Sequence, residues 1–202
     1  MAVTCSNTCL SSSSSSSTCY DFTIKRGDSL PSFVVSLTDE ELDIVENIAE
    51  PRTVNTYLWC SSRLGTSIDV DSDEITLLDD VNFTKVSVGD TIVFLGNCTK
   101  EEVTATAIDA VNKTVTINRP NQKYAHVVQE ELHIFKVWKK PDNGSVNVEE
   151  SQLTYNWDAI DTNTPGEFLL ELEIVGSDNS KLSFPRIASG YSVLIQKDSY
   201  GG

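Results

Sequence analysis

The chain has 202 residues, enough for one large domain or two small ones with a genuine core. Its 15 Lys and Arg stand against 30 Asp and Glu, a formal charge of −15. That balance disfavours nucleic acid and anionic membrane surfaces, whose charge would be repelled rather than neutralised, and favours solvated β faces or docking onto a basic face of another protein.

Residues 1–19 read as a zone of their own. Cys5, Cys9 and Cys19 bracket a run of seven serines, Ser11 to Ser17. Such a run buries no apolar surface and has no periodic face, so the expectation is a flexible arm, either one that orders against a neighbouring subunit or a terminus without a role. The start has neither a basic n-region nor an apolar h-region, so a chain kept in a cytosol is expected. No apolar run approaches the roughly 18 residues needed to cross a bilayer. The three cysteines read as inert thiols, as possible interchain disulfides, or as the beginning of a zinc site that lacks its fourth ligand. Cys60 and Cys98 are distant in sequence.

From Tyr20 the pattern turns to strands. Residues 21–25 alternate, with Phe22 and Ile24 on one face, and 26–31 form a turn cluster. A second strand is predicted over 32–37, then a polar, acidic connection over 38–50 with room for a helical turn. A third strand follows over 53–59, its Tyr57 and Trp59 on one face. Residues 68–137 form a distinct block. A strand is predicted over 74–78, another over 86–95 around a Gly89-Asp90 turn, a hairpin from 102–109 and 114–118, and a returning strand over 132–138. Short strands with Gly, Asn and Asp turns at this spacing suggest a small barrel or compact sandwich. Pro141 to Gly144 is a turn, and strands over 152–157, 168–174 and 192–195 close the chain around the polar loop 161–166.

The fold class is therefore expected to be all-β: a sandwich interrupted by a small barrel-like insertion, with extra strands elongating a single sheet system as the equal alternative for the middle block. The boundaries are 1–19 for the arm, 20–62 and 139–202 for the sandwich, and 63–138 for the insertion.

Chemistry is sparsely signalled. His126 and His133 lack Cys or His at metal-ligand spacing and read as structural. Asp69, Asp71 and Asp73 sit at positions one, three and five of a calcium-type loop, but Glu74 replaces the glycine at six and Asp80 the glutamate at twelve, so a solvated acidic loop is the simpler reading. Arg26-Gly27-Asp28 matches an adhesion tripeptide, yet its Gly-Asp more simply turns the chain. Asn82, Asn97, Asn112 and Asn143 open glycosylation-type triplets that mean nothing without a secretory signal. No nucleophile elbow, phosphate loop or dinucleotide glycine cluster occurs. The chain is expected to be no enzyme, with catalytic, cofactor and metal residues all given as none.

Two resemblances carry the functional expectation. Residues 22–31, residues 155–174 (with Trp157, Asp161, Pro165, Gly166 and Phe168), residues 182–185 and residues 191–195 resemble, in order, the opening strand and turn, the penultimate hairpin and the closing strands of Ig-like domains of tailed-bacteriophage virion proteins of the upper-baseplate type. Residues 86–94, 102–109, 114–120 and 124–126 are similar to small β-barrel modules inserted in phage fibre and tail proteins. The interruption of some eighty residues and the Cys/Ser arm depart from the first pattern. The resemblance implies a virion structural protein, assembled in the host cytoplasm, that attaches to and links subunits of the tail, baseplate or neck. It implies other virion proteins as partners, a homo-oligomer, no cofactor, no nucleic acid and no membrane. A capsid decoration or head-fibre protein is the alternative, and a receptor- or glycan-binding module a further one.

Overall fold

The structure, a computed structural model, describes residues 8–10, 18–29, 31–95, 100–120, 124–141, 143–185 and 190–197. Among the described residues it is all-β apart from two short helices. In chain order the elements are β1 (Thr8–Leu10), β2 (Thr18–Tyr20), β3 (Phe22–Lys25), β4 (Phe33–Ser36), α1 (Asp39–Glu46), β5 (Thr53–Arg63), β6 (Glu74–Thr76), α2 (Asp80–Phe83), β7 (Thr91–Leu95), β8 (Lys100–Asp109), β9 (Thr114–Asn118), β10 (Glu131–Lys140), β11 (Gly144–Asn147), β12 (Gln152–Tyr155), β13 (Gly166–Val175), β14 (Lys181–Phe184) and β15 (Tyr191–Gln196).

The chain divides into two compact units, a terminal unit of residues 1–58 and 138–202 and an inserted unit of residues 59–137. Both joins fall inside long strands, β5 and β10. The sequence expectation placed them at 62/63 and 138/139.

In the terminal unit, β13 is the organising strand. Its alternation buries Phe168, Leu170, Leu172 and Ile174, the period-2 signature of a sheet with one face in a core. β15 pairs antiparallel with its first half and β14 with its last. β3 then adds parallel to β15, Phe22 opposite Val193 and Ile24 opposite Ile195, so strands from the two ends of the chain lie side by side. A second, three-stranded sheet runs β11-β12-β4. The two sheets meet through aromatic rings: Phe33 of β4 lies edge-on to Phe22 at 5.4 Å and tilted against Tyr191 at 5.1 Å. Trp157 stacks on Phe22 and meets Tyr155 edge-on. With inward faces interdigitating across two sheets, this unit is a β-sandwich.

α1 fills the acidic connection, and its start is written locally. Thr38 accepts from the Glu41 N–H while the Glu41 carboxylate accepts from the Thr38 N–H, a reciprocal cap, and three acidic residues occupy the first turn. Thr8–Leu10 and Thr18–Tyr20 pair as an antiparallel ribbon. The expected flexibility of Ser11–Ser17 concerns residues outside those described.

In the inserted unit the strand path runs β5-β10-β7-β8-β9-β6. The expected barrel is not closed. β6 is three residues long, and the path's two ends touch through a single bridge, Leu64 to Leu77, rather than a ladder. The loop between Ile68 and Asp73 turns its Asp69 and Ser72 carbonyls onto the Arg119 guanidinium, so these acceptors are not available to extend the β6 ladder. The predicted 86–95 strand is also shortened. Residues 86–90 form a turn in which the Asp90 carboxylate accepts from the Ser87 N–H, and only Thr91–Leu95 is extended. Leu64, Ile75, Ile92, Phe94, Val103, Val115, Leu132 and Ile134 fill the core.

Candidate functional site

The inserted unit encloses a cluster of charge that the sequence did not advertise. Glu101 near the start of β8 and Arg119 just beyond β9 are brought together by the β8–β9 hairpin, and both side chains are 1% exposed. The guanidinium forks onto the carboxylate, Nε to Oε1 at 2.6 Å and Nη2 to Oε2 at 2.7 Å. Arg119 Nη1 donates to the carbonyls of Asp69 and Ser72 at 2.9 Å, more weakly to that of Val70, and Nη2 also donates to the Tyr124 carbonyl. The acidic loop that resembled a calcium site is thus gathered around the protein's own cation.

His126 completes the cluster. Ile68 and His126 form a β-bridge that draws the ring inward, where it stacks on Phe94 at 4.1 Å. Nε2 faces Glu101 Oε2 at 3.0 Å and Nδ1 faces Glu130 Oε1 at 2.7 Å, so both ring nitrogens meet carboxylates. The Tyr124 N–H adds a further donor to Glu101. Four donors therefore converge on one carboxylate, and no open face remains for a substrate. The cluster clamps two loops onto the sheet.

Its electrostatics carry a consequence for acid stability. Burial alone pushes the Glu101 carboxyl up, but the hydrogen bonds from Arg119, His126 and the Tyr124 N–H outweigh it and bring it from 4.5 down to about 2. A carboxyl lowered on folding contributes stability that is complete above its unfolded value and is lost as pH falls through the folded one. The inserted unit should therefore keep this contribution from neutrality down to about pH 4.5 and lose on the order of 3 kcal/mol between there and pH 2. Denaturant midpoints measured across the acid range check it, and Glu101→Gln should flatten the slope.

Other polar groups are equally internal. Lys136 Nζ donates to Asp90 Oδ2 at 2.6 Å and to Ser87 Oγ at 3.0 Å. Burial pushes the Asp90 carboxyl up in spite of that cation. Cys60 is 5% exposed, and burial likewise raises its thiol, which makes it a poor nucleophile. His133 stacks on Trp59 at 4.0 Å, and burial holds its imidazole below the ordinary value against the pull of Glu131.

In the terminal unit, Asp161 plays the corresponding part. At 3% exposure it accepts from Tyr155 Oη at 2.6 Å, from the Asp158 N–H at 2.9 Å and from Lys140 Nζ at 3.0 Å. The adhesion-type tripeptide is absorbed by the same loop. Gly27, at φ 73°, donates its N–H to the Thr162 carbonyl, the Arg26 side chain to that of Asn163, and Thr162 Oγ1 to that of Asp28.

One open cleft of about 360 Å³ in the inserted unit is lined by Ser61, Ser62, Arg63, Leu78, Asp79, Asn82 and Glu131. Its polar groups are partly committed: Asn82 donates to the Ser61 carbonyl and Asp79 caps α2. No histidine or lysine lines it to activate either serine. Among the described residues no group of three or more His, Cys, Asp or Glu is placed to hold a metal.

No family model and no curated protein matches this chain. The site must be read from its geometry. Of the residues singled out in the sequence, Cys5 and Cys98 lie outside those described, and Cys9 and Cys19 are register partners across the ribbon. Trp59 and Trp157 are buried, at 8% and 2%, and Trp138 packs edge-on to Tyr57. Two of the three tryptophans are thus spent on cores rather than offered as a flat platform. The sequence does not single out Arg119, Glu101, Glu130 or Lys140, and it marks Asp161 only as part of a polar loop. A lone Arg before Pro120, closing an alternating strand, was the one available hint.

Proposed function

We propose that the chain is a structural protein of a tailed-bacteriophage virion that links neighbouring subunits in the tail, baseplate or neck. One observation carries the reading. The separated segments that resemble phage Ig-like domains, residues 22–31, 155–174, 182–185 and 191–195, contribute β3, β13, β14 and β15, which are hydrogen-bonded neighbours in one sheet. Segments matched in order along a chain acquire meaning when they are also adjacent in space. The polar clusters fit the same reading, because their donors and acceptors are turned on one another and rigidify loops. Attachment would be non-covalent, through sheet edges such as β11 and β4 or through acidic faces docked onto a basic partner. The burial of Trp59 and Trp157 weighs against a glycan-binding module, which would stack sugars on exposed rings.

The test is made on particles. Mass spectrometry of purified virions from the phage that encodes this chain should find it at stoichiometric level, and labelled antibody should decorate the tail or its junction with the head. Decoration of the capsid shell would favour the head-fibre alternative. Absence of the chain from purified particles would refute the proposal.

A further inference from the structure

The cleft of the inserted unit lies where its sheet stops short of closing. Leu64 and Leu77 form the single bridge between the ends of the strand path, and the Leu78 N–H donates to the Arg63 carbonyl at 2.8 Å. Asp79 then turns the chain into α2, so the ladder ends before it reaches Ser61. The Ser61 carbonyl accepts instead from the Asn82 side-chain amide at 3.1 Å, which stands where the N–H of a neighbouring strand would. The opening left there is the cleft of about 360 Å³, near the lower end of the range for ligand pockets.

Its polar groups lack partners. Ser62, in the cleft wall, is 5% exposed, and its hydroxyl oxygen is buried with no hydrogen-bond partner. Buried hydroxyls are ordinarily paired, and at a cleft wall the missing partner can come from a bound molecule. The charges are equally uncommitted. Arg63 comes from β5, Asp79 from the start of α2 and Glu131 from β10, yet among the described residues no ion pair joins the guanidinium to either carboxylate. Asp79 Oδ1 accepts from the Val81 N–H, and Glu131 Oε1 lies 3.4 Å from His133 Nε2. The adjacent Asp80 shows the contrast, because Lys113 reaches across from the β8–β9 turn to hold it. Glu101, Asp90 and Asp161 likewise each hold a Lys or Arg of the chain's own. Asp79 and Glu131 do not.

Two carboxylates against one guanidinium, on a chain of formal charge −15, draw a cation rather than an anion. A guanidinium fits these acceptors better than an ammonium, because its five donors lie in one planar fork and can serve carboxylates and a hydroxyl together. Leu78, 53% exposed, gives the methylene stem of such a side chain an apolar wall. Arg63 is left to donate to main-chain carbonyls of the segment that delivers it, as Arg119 does to those of Asp69 and Ser72.

We propose that this cleft receives an arginine side chain of a partner protein, its guanidinium held by Asp79, Glu131 and the Ser62 hydroxyl. The proposal deepens the subunit-linking reading and rests on it for the source of the arginine, while the binding chemistry is tested without it.

The experiment titrates the full, isotope-labelled chain with N-acetyl-arginine methylamide and follows amide chemical shifts, with the lysine compound and the uncharged, isosteric citrulline compound as comparisons. Saturable shifts confined to residues 61–63, 78–82 and 131 are expected, with a Kd on the order of 1 mM. The citrulline compound should bind about tenfold more weakly, for want of charge-assisted bonds, and the lysine compound should fall between. Asp79→Asn combined with Glu131→Gln should weaken arginine binding by about tenfold, and Asn keeps the cap on α2, so the fold is retained. Glu131→Gln alone should give part of that loss. Ser62→Ala should weaken binding without lowering the thermal midpoint, because its hydroxyl has no partner to lose. Shifts that spread over the acidic surface without saturating, equal affinity for the citrulline or lysine compound, or full affinity in the double variant would each overturn the proposal. Arginine binding by a chain that is absent from purified particles would sink only the virion reading, and its failure in a chain that is present there would sink only this one.

Discussion

Arg119→Met is expected to destabilise the inserted unit by about 3–5 kcal/mol, the range for stripping one partner from a buried ion pair. The side chain it removes holds Glu101 in a fork and supplies donors to the carbonyls of Asp69, Val70, Ser72 and Tyr124. With both side chains at 1% exposure, water does not substitute for the lost fork, and Glu101 would be left ionised and under-compensated. Arg119→Lys should fall between, since an ammonium keeps the charge but cannot reach two carboxylate oxygens and four carbonyls at once. Replacing Glu101 and Arg119 together with apolar residues of similar volume should cost much less than the two single changes summed. Denaturant unfolding, with hydrogen exchange reporting on residues 64–76 and 100–130, reads all four. An Arg119→Met midpoint within about 1 kcal/mol of the parent would show that the clamp does not hold the loops.

Asp161→Ala should be the most damaging single change in the loop between β12 and β13, at roughly 3 kcal/mol. Its carboxylate satisfies the Tyr155 hydroxyl, which is wholly buried, closes the turn at the Asp158 N–H, and shares Lys140 with Asp158. Burial and the two aspartates together push the Tyr155 phenol well above its ordinary value, so it remains a donor at any pH the fold survives. Burial alone would lower the Lys140 ammonium, but the carboxylates of Asp158 and Asp161 hold it above its ordinary value. Without Asp161 the hydroxyl has no acceptor and the cation loses its better-buried partner. Tyr155→Phe alone should cost only about 1 kcal/mol. Added to Asp161→Ala it should recover part of the loss, because it removes the orphaned donor. Thermal unfolding of the two single variants and the double measures this coupling. A double variant no more stable than Asp161→Ala would mean that the turn, not the hydroxyl, carries the energy.

The strands that were legible in the sequence share one property: their signal is local. Phe22 and Ile24, the 102–109 and 114–118 hairpin, and Phe168 to Ile174 announce themselves by alternation within a handful of residues. The reciprocal cap of Thr38 and Glu41 is likewise a four-residue pattern, although it was read only as room for a helical turn. Where alternation was short or broken, the reading failed. Nothing local announces β11 beyond the turn at 141–144 or the short α2 that Asp79 caps, and the turn expected at Gly89-Asp90 reaches back to Val86, where the Ser87 N–H donates to Asp90. The buried clusters were invisible because a charged residue looks the same in sequence whether it faces water or another charge.

The sequence by itself determined that this chain is β-built, acidic and lacking an evident catalytic motif, because side-chain period, net charge and motif spacing are properties of neighbouring residues. Only the tertiary structure decided that β3 lies parallel to β15, that the 69–73 loop wraps Arg119, and that Asp161 ties Tyr155 to Lys140. Each of those pairings joins groups from separate elements. Their partners are selected by which arrangement buries the apolar faces and satisfies the buried polar atoms at once, a condition on the whole chain rather than on any window of it.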